Sequence, residues 1–148
     1  MSVGKVLPRP ERRGRTAPEH AKRAEFSVPG GPEAAADARQ QLAALGDPLA
    51  ASPDGMVSLL LTELVTNAVR HGGAQDGQRV AVTVEHRPGL LRVSVSDSGP
   101  GFHWRPPAPR RPPAEGGYGL VLVDRMAQRW GIEPGGDSTT VWFELSPD

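Results

Sequence analysis

Apolar residues recur along this chain in two distinct periods. Between residues 53 and 71 the period is helical: Val57, Leu61, Leu64, Val65 and Ala68 share one arc of a 100° wheel, while Glu63, Thr66, Asn67 and Arg70 cluster opposite. Gly72 and Gly73 close that helix. An earlier helix is expected after Pro32, with Ala35, Ala38, Leu42 and Leu45 at helical spacing and Gly46 as its stop. Elsewhere apolar and polar residues alternate, the mark of a strand with one buried face. "RVAVTVEH" and "LLRVSVSD", joined by "RPGL", predict an antiparallel pair; "AEFSVPG" predicts a short strand stopped by Pro29, and "STTVWFEL" a final one. "GLVLVDRMAQRWG" reads as a third helix running from Leu120 to Trp130.

Two segments carry neither period. Residues 1–23 are rich in Pro, Gly and Arg, bury too little surface to offset ordering entropy, and are expected to form a disordered tail before a single domain at 24–148. The stretch "WRPPAPRRPPAEGG", Trp104 to Gly117, has the length of a lid or a disordered loop.

Composition narrows the picture only modestly. The 148 residues, 37% of them hydrophobic, suffice for one core. Basic and acidic residues number 17 each, so overall charge implies no polyanionic partner, and no direct nucleic-acid role is expected. The first 25 residues carry seven basic and three acidic residues, but no aromatics interleave with them. Cysteine is absent, which excludes disulfides and thiolate metal sites and fits a reducing cytoplasm. Neither a signal peptide nor a membrane span is read, because no apolar run is long enough.

Candidate chemistry starts at Glu63, Asn67 and His71, spaced four apart so that they form a ridge along one side of the polar arc. Asp97 continues the parity of Leu91, Val93 and Val95, which puts a carboxylate in line with core-facing residues. A buried carboxylate needs a donor, either a backbone N–H of the following turn or the amino group of a bound ligand such as a nucleobase. Gly99 and Gly101 permit close backbone approach in that turn. Gly116, Gly117 and Gly119 precede a helix, where unpaired N–H groups and the dipole favour phosphate. The spacing is neither that of a P-loop nor of a dinucleotide fingerprint.

Taken in order, "SLLLTELVTNAVRHGG", "LRVSVSDSGPGF", "EGGYGLVLVDRMAQRWGI" and "TTVWFEL" resemble the boxes of the GHKL ATPase superfamily with its Bergerat ATP-binding fold. More narrowly, they are similar to the stand-alone bacterial anti-sigma factor serine/threonine kinases. The resemblance covers about Ala24 to Asp148 and implies an α/β two-layer sandwich: a mainly antiparallel sheet covered on one face by helices. It implies that Asn67 holds Mg²⁺ against the triphosphate of ATP, that Glu63 acts as general base, and that His71 lies near the phosphates or merely caps the helix. It further implies that Asp97 accepts from the adenine amino group, that Gly99 and Gly101 line the base, and that Gly117, Gly119 and Leu120 form the box that admits the phosphates. A threonine of the last strand reaches the adenine; parity with Val141 and Phe143 favours Thr139, while the local "TVW" pattern points to Thr140. The chain departs from the family at Tyr118, where an arginine is common; Arg105, Arg110 and Arg111 of the lid either replace it or, the more ordinary reading, are solvated surface residues.

The function implied is an ATP- and Mg²⁺-dependent anti-sigma factor that sequesters a sigma factor and phosphorylates Ser or Thr on an anti-anti-sigma antagonist, in the cytoplasm, with a homodimer left open. The alternative is an ATP-binding regulatory module whose nucleotide gates protein binding without kinase activity. A histidine kinase is disfavoured because His20 lacks the surroundings of a phosphoacceptor, and a gyrase-type ATPase because no transducer domain is seen.

Overall fold

The computed structural model describes residues 21–47, 49, 55–71, 78–97, 117–135 and 138–146. Their elements run β1 (Lys22–Pro29), α1 (Ala34–Leu45), α2 (Met56–His71), β2 (Arg79–Arg87), β3 (Leu90–Asp97), α3 (Gly117–Met126), β4 (Arg129–Pro134) and β5 (Thr139–Leu145). The five strands form one sheet in the order β1-β2-β3-β5-β4, and every neighbouring pair is antiparallel. The three helices pack on one another and on the sheet, with α2 touching both α1 and α3 as well as β3. This is the α/β two-layer sandwich that the family resemblance implies.

Alternation decides which face is covered. Along β3 the residues Leu91, Val93, Val95 and Asp97 are all buried while those between them are not, so one side of the pleat meets the helices. Val80, Val82 and Val84 of β2, and Val141 and Phe143 of β5, extend the same face. Leu60, Leu61, Leu64 and Val65 of α2 press onto it, joined by Ala38 and Leu42 of α1 and by Leu120 and Val123 of α3. Each fully buried aliphatic side chain contributes roughly 1.5–3 kcal/mol by leaving water, so this interface dominates the stability of the domain.

Glycine supplies two of the chain reversals. Gly89 between β2 and β3 has φ 76°, and Gly46 after α1 has φ 68°, both in the left-handed region that side chains avoid. Gly46 also donates its N–H to Ala43 at 3.2 Å, which satisfies a carbonyl at the helix end.

Three boundaries and one strand differ from the sequence reading. β1 begins at Lys22, ahead of the expected start at Ala24. The third helix starts at Gly117 rather than after the glycines and ends at Met126, and Arg129–Pro134 is a strand that the helical reading absorbed. Its physical cause is visible in the bonds: Ala127 N–H closes the last helical turn on Val123 at 2.9 Å, and Gln128 N–H already bonds Glu144 of β5 at 2.9 Å. A six-residue strand carrying only Trp130 and Ile132 on its inward face is too short to show a clear period of two.

Candidate functional site

α2 places its polar residues on successive turns of one ridge. Glu63 is half-buried, and Asn67, one turn later, is only 4% exposed. The wheel put Asn67 on a polar arc, yet α2 is packed by α1 and α3 as well as by the sheet, and more than its apolar arc is covered. The Asn67 Nδ2 is buried with no hydrogen-bond partner among the described residues. Leaving a buried amide donor unpaired costs about 1–3 kcal/mol, so the position is strained unless something outside the described chain accepts from it. His71 is the last residue of α2, and its side chain lies outside what is described.

The sheet contributes two further buried polar residues. Asp97 ends β3 at 5% exposure, and Thr139 begins β5 fully buried; the two are direct partners across the β3–β5 ladder. Such partners carry Cβ atoms about 4.5–5.5 Å apart on the same face, so a carboxylate and a hydroxyl converge on the helix side of the sheet. Thr140 points the other way. Its hydroxyl lies 2.7 Å from that of Ser96 on the uncovered face, where the two form a hydrogen bond.

Gly117 and Gly119 form the first turn of α3, and Leu120 behind them is fully buried, which seats that turn against the core. The first backbone N–H groups of a helix lack intrahelical acceptors and carry the positive end of its dipole. α3 is tied down further along by the Trp130 indole N–H, which donates to Asp124 at 2.8 Å. Gly99, Gly101 and the Pro-rich stretch with Arg105, Arg110 and Arg111 lie outside the described residues, and Tyr118 is described only in its backbone.

The uncovered face has its own polar groove of about 810 Å³, lined among others by Arg92, Arg129, Glu85, Glu144, Ser96 and Thr140. It sits on the other side of the sheet from Asp97 and Thr139 and is not the space the site residues face. Its charges are paired internally: Arg92 donates to Glu144 at 3.0 Å, and Arg129 Nε approaches the same carboxylate at 3.1 Å, close enough for an ion pair but not aligned as a hydrogen bond. The Arg92 guanidinium also lies 4.0 Å from the centroid of the Trp142 ring. None of this cluster was read from the sequence, although its residues occupy the outward parity of β3, β4 and β5 and could have been paired that way.

α2, with an acid and a buried amide on successive turns, thus packs on a sheet whose β3 ends on a buried carboxylate beside a threonine of β5, and α3 opens on two glycines. Residues 28–145 match the family described as the histidine kinase-like ATPase domain, and the chain belongs to that family. An uncharacterized protein of Streptomyces coelicolor is 37% identical over 84 residues, which is 57% of this chain and 79% of that protein. Among solved structures, the RsbU and RsbW domains of a Mycobacterium tuberculosis protein align with a TM-score of 0.54 at 22% identity, over 83% of this chain and 32% of theirs. A likeness at that identity speaks for the fold. The histidine kinase domain of a blue-light activated histidine kinase from Erythrobacter litoralis reaches 25% identity over 63% of this chain and 44% of its own, with a TM-score of 0.42 that carries no argument. The chain thus spans about a third of the one solved structure and under half of the other. Among the described residues no helix is long and apolar enough to cross a membrane.

Proposed function

We propose that this chain is an anti-sigma regulatory kinase: it binds ATP with Mg²⁺ between α2, the start of α3 and the ends of β3 and β5, phosphorylates a Ser or Thr of an antagonist protein, and sequesters a sigma factor. The observation that carries the reading is Asn67, a buried amide whose Nδ2 has no acceptor among the described residues, one turn after Glu63. An amide offers a carbonyl oxygen to a hard cation and an N–H₂ to an anion, which are the two charges that a metal triphosphate brings. Membership of the ATPase-domain family supports the nucleotide, and the fold shared with a structure containing an RsbW domain supports the regulatory class.

The donor set suits magnesium held through a ligand better than a protein cage. No group of three His, Cys, Asp or Glu among the described residues could hold a metal, and Mg²⁺ characteristically keeps waters and bridges few protein oxygens to substrate phosphates. Asn67 would hold it, and its charge would neutralise the triphosphate.

The chain's own groups account for the rest of the reaction. Asp97 accepts the amino hydrogen of adenine, and Thr139 beside it contributes a hydroxyl to the same edge. The N–H groups of the first turn of α3 hold phosphate oxygens. Glu63 takes the proton of the acceptor hydroxyl as its oxygen bonds to the γ-phosphorus and the bond from phosphorus to the β–γ bridging oxygen breaks, leaving ADP. Positioning and charge neutralisation carry most of such a transfer. Incubation with γ-labelled ATP and candidate antagonist proteins tests the reading: label on a Ser or Thr of one antagonist is expected. Confirmed ATP binding with repeated absence of label would instead define a nucleotide-gated binding module.

A further inference from the structure

β1 forms one edge of the sheet, with β2 on one side and, among the described residues, no strand on the other. It is a long and regular edge: all eight of its residues pair with β2, from Lys22 against His86 to Pro29 against Arg79, without a bulge. The unpaired N–H and C=O groups of such an edge are a template for a further strand. The phase of the ladder identifies them. The rung that follows is directly bonded, Gly30 N–H donating to the Gln78 carbonyl at 2.6 Å, and along an antiparallel pair bonded and unbonded rungs alternate. Lys22, Ala24, Phe26 and Val28 therefore turn their backbone groups to β2, while Arg23, Glu25, Ser27 and Pro29 turn theirs to the open edge. Pro29, which has no N–H to lose, agrees with that phase. The Arg79 guanidinium donates to the Ser27 carbonyl at 3.0 Å and closes off the same end, so the open stretch is residues 23–27.

The side chains of that stretch decide what fits it. Arg23 and Glu25 lie on the uncovered face, opposite Glu85 and Thr83 of β2. They bond each other at 2.6 Å, although both side chains are more than half exposed, and an exposed pair of this kind contributes little alone. A second copy of β1 laid antiparallel must pair open-edge residues with open-edge residues, which leaves few registers. One sets Arg23 against Arg23 and another Glu25 against Glu25, and both are repulsive. A register centred on Phe26 sets Arg23 against Pro29, which cannot donate. The register centred on Ala24 sets Arg23 of each copy opposite Glu25 of the other, so that the four side chains form a square of alternating charge. It also brings the Lys22 stem of each copy over the half-buried Phe26 ring of the other. We propose that β1 is a self-association edge: two copies of this chain join antiparallel about a two-fold axis at Ala24, and their two sheets become one. The inference does not depend on the nucleotide reading given above.

Sedimentation of the full chain over a range of concentrations should show a monomer–dimer equilibrium. Glu25→Arg and Arg23→Glu each place like charges opposite one another at two symmetric rungs, and each should weaken the dimer by about 10-fold or more. Mixing the two variants sets arginine against glutamate at both rungs again and should restore association as a heterodimer. A variant that had merely lost its fold would not be rescued by mixing. Crosslinking reads the register itself, because the chain has no cysteine of its own. The two Ala24 positions form an unbonded rung with Cα atoms about 4.5 Å apart, within reach of a disulfide, so Ala24→Cys should oxidise to a covalent dimer. Ser27→Cys should not, since its two copies lie about 20 Å apart along the strands. The proposal is overturned by a wild type that stays monomeric at every concentration, as it would if another segment of the same chain covered β1. It is equally overturned by a dimer indifferent to both charge reversals, or by a disulfide that forms at position 27 and not at 24.

Discussion

Asn67 shows how one residue separates stability from function. Its side chain is buried with a donor unpaired among the described residues, a cost that an apolar residue of similar volume would not bear. Asn67→Leu is therefore expected to hold or raise the melting temperature of the nucleotide-free protein while abolishing Mg²⁺-dependent ATP binding, which calorimetry and thermal unfolding would read side by side. A fall of several degrees would mean that the amide is satisfied in the free protein. In the proposed reaction Glu63 serves the chemical step instead. Glu63→Ala should leave ATP affinity near wild type and slow labelling of the antagonist by about 10²- to 10⁴-fold, the usual contribution of a general base. At this scale the sequence was most informative where a period applied: the parity of β3 put Asp97 inside, and that of β5 put Thr139 there. It misled at Asn67, because a wheel describes one helix and cannot register a second and a third packing beside it.

Among the elements, β4 was the one hidden in the sequence, and its packing explains both its presence and its brevity. Gly131 lies opposite Trp142, and a Cβ on it would come within 3.0 Å of the indole. The large ring is 2% exposed although it sits on the face without helices, roofed by the Arg92 guanidinium. Gly131→Ala should thus cost about 1–3 kcal/mol through overpacking, measured as a lower denaturant midpoint. An unchanged midpoint would mean that the ring can move aside freely. A glycine between Trp130 and Ile132 weakens the local strand signal, and only the tertiary partner gives it a reason. The helical run before it was legible because Leu120 and Val123 are both core residues, whereas its end was set by a bond from Gln128 to β5 that no local pattern encodes.

At the scale of the molecule, the sandwich leaves the helix side of the sheet's end as the place where α2, α3, β3 and β5 bring polar groups into an otherwise apolar interface. The helices and most of the strands could be read from the two periods, and the layered arrangement from the family resemblance. The pairing order β1-β2-β3-β5-β4 could not, since it inserts the last strand between β3 and β4. A ligand that binds only the folded state stabilises it by mass action, about 2.7 kcal/mol at a hundredfold excess over its Kd. Magnesium and ATP together should accordingly raise the melting temperature, and ATP with a chelator should raise it far less. The most direct measurement is ATP affinity by titration calorimetry, with and without Mg²⁺, for wild type and Asn67→Ala. The account predicts that Mg²⁺ tightens binding to wild type and that this gain disappears in the variant; equal Mg²⁺ dependence in both, or no binding by wild type at millimolar ATP, would contradict it.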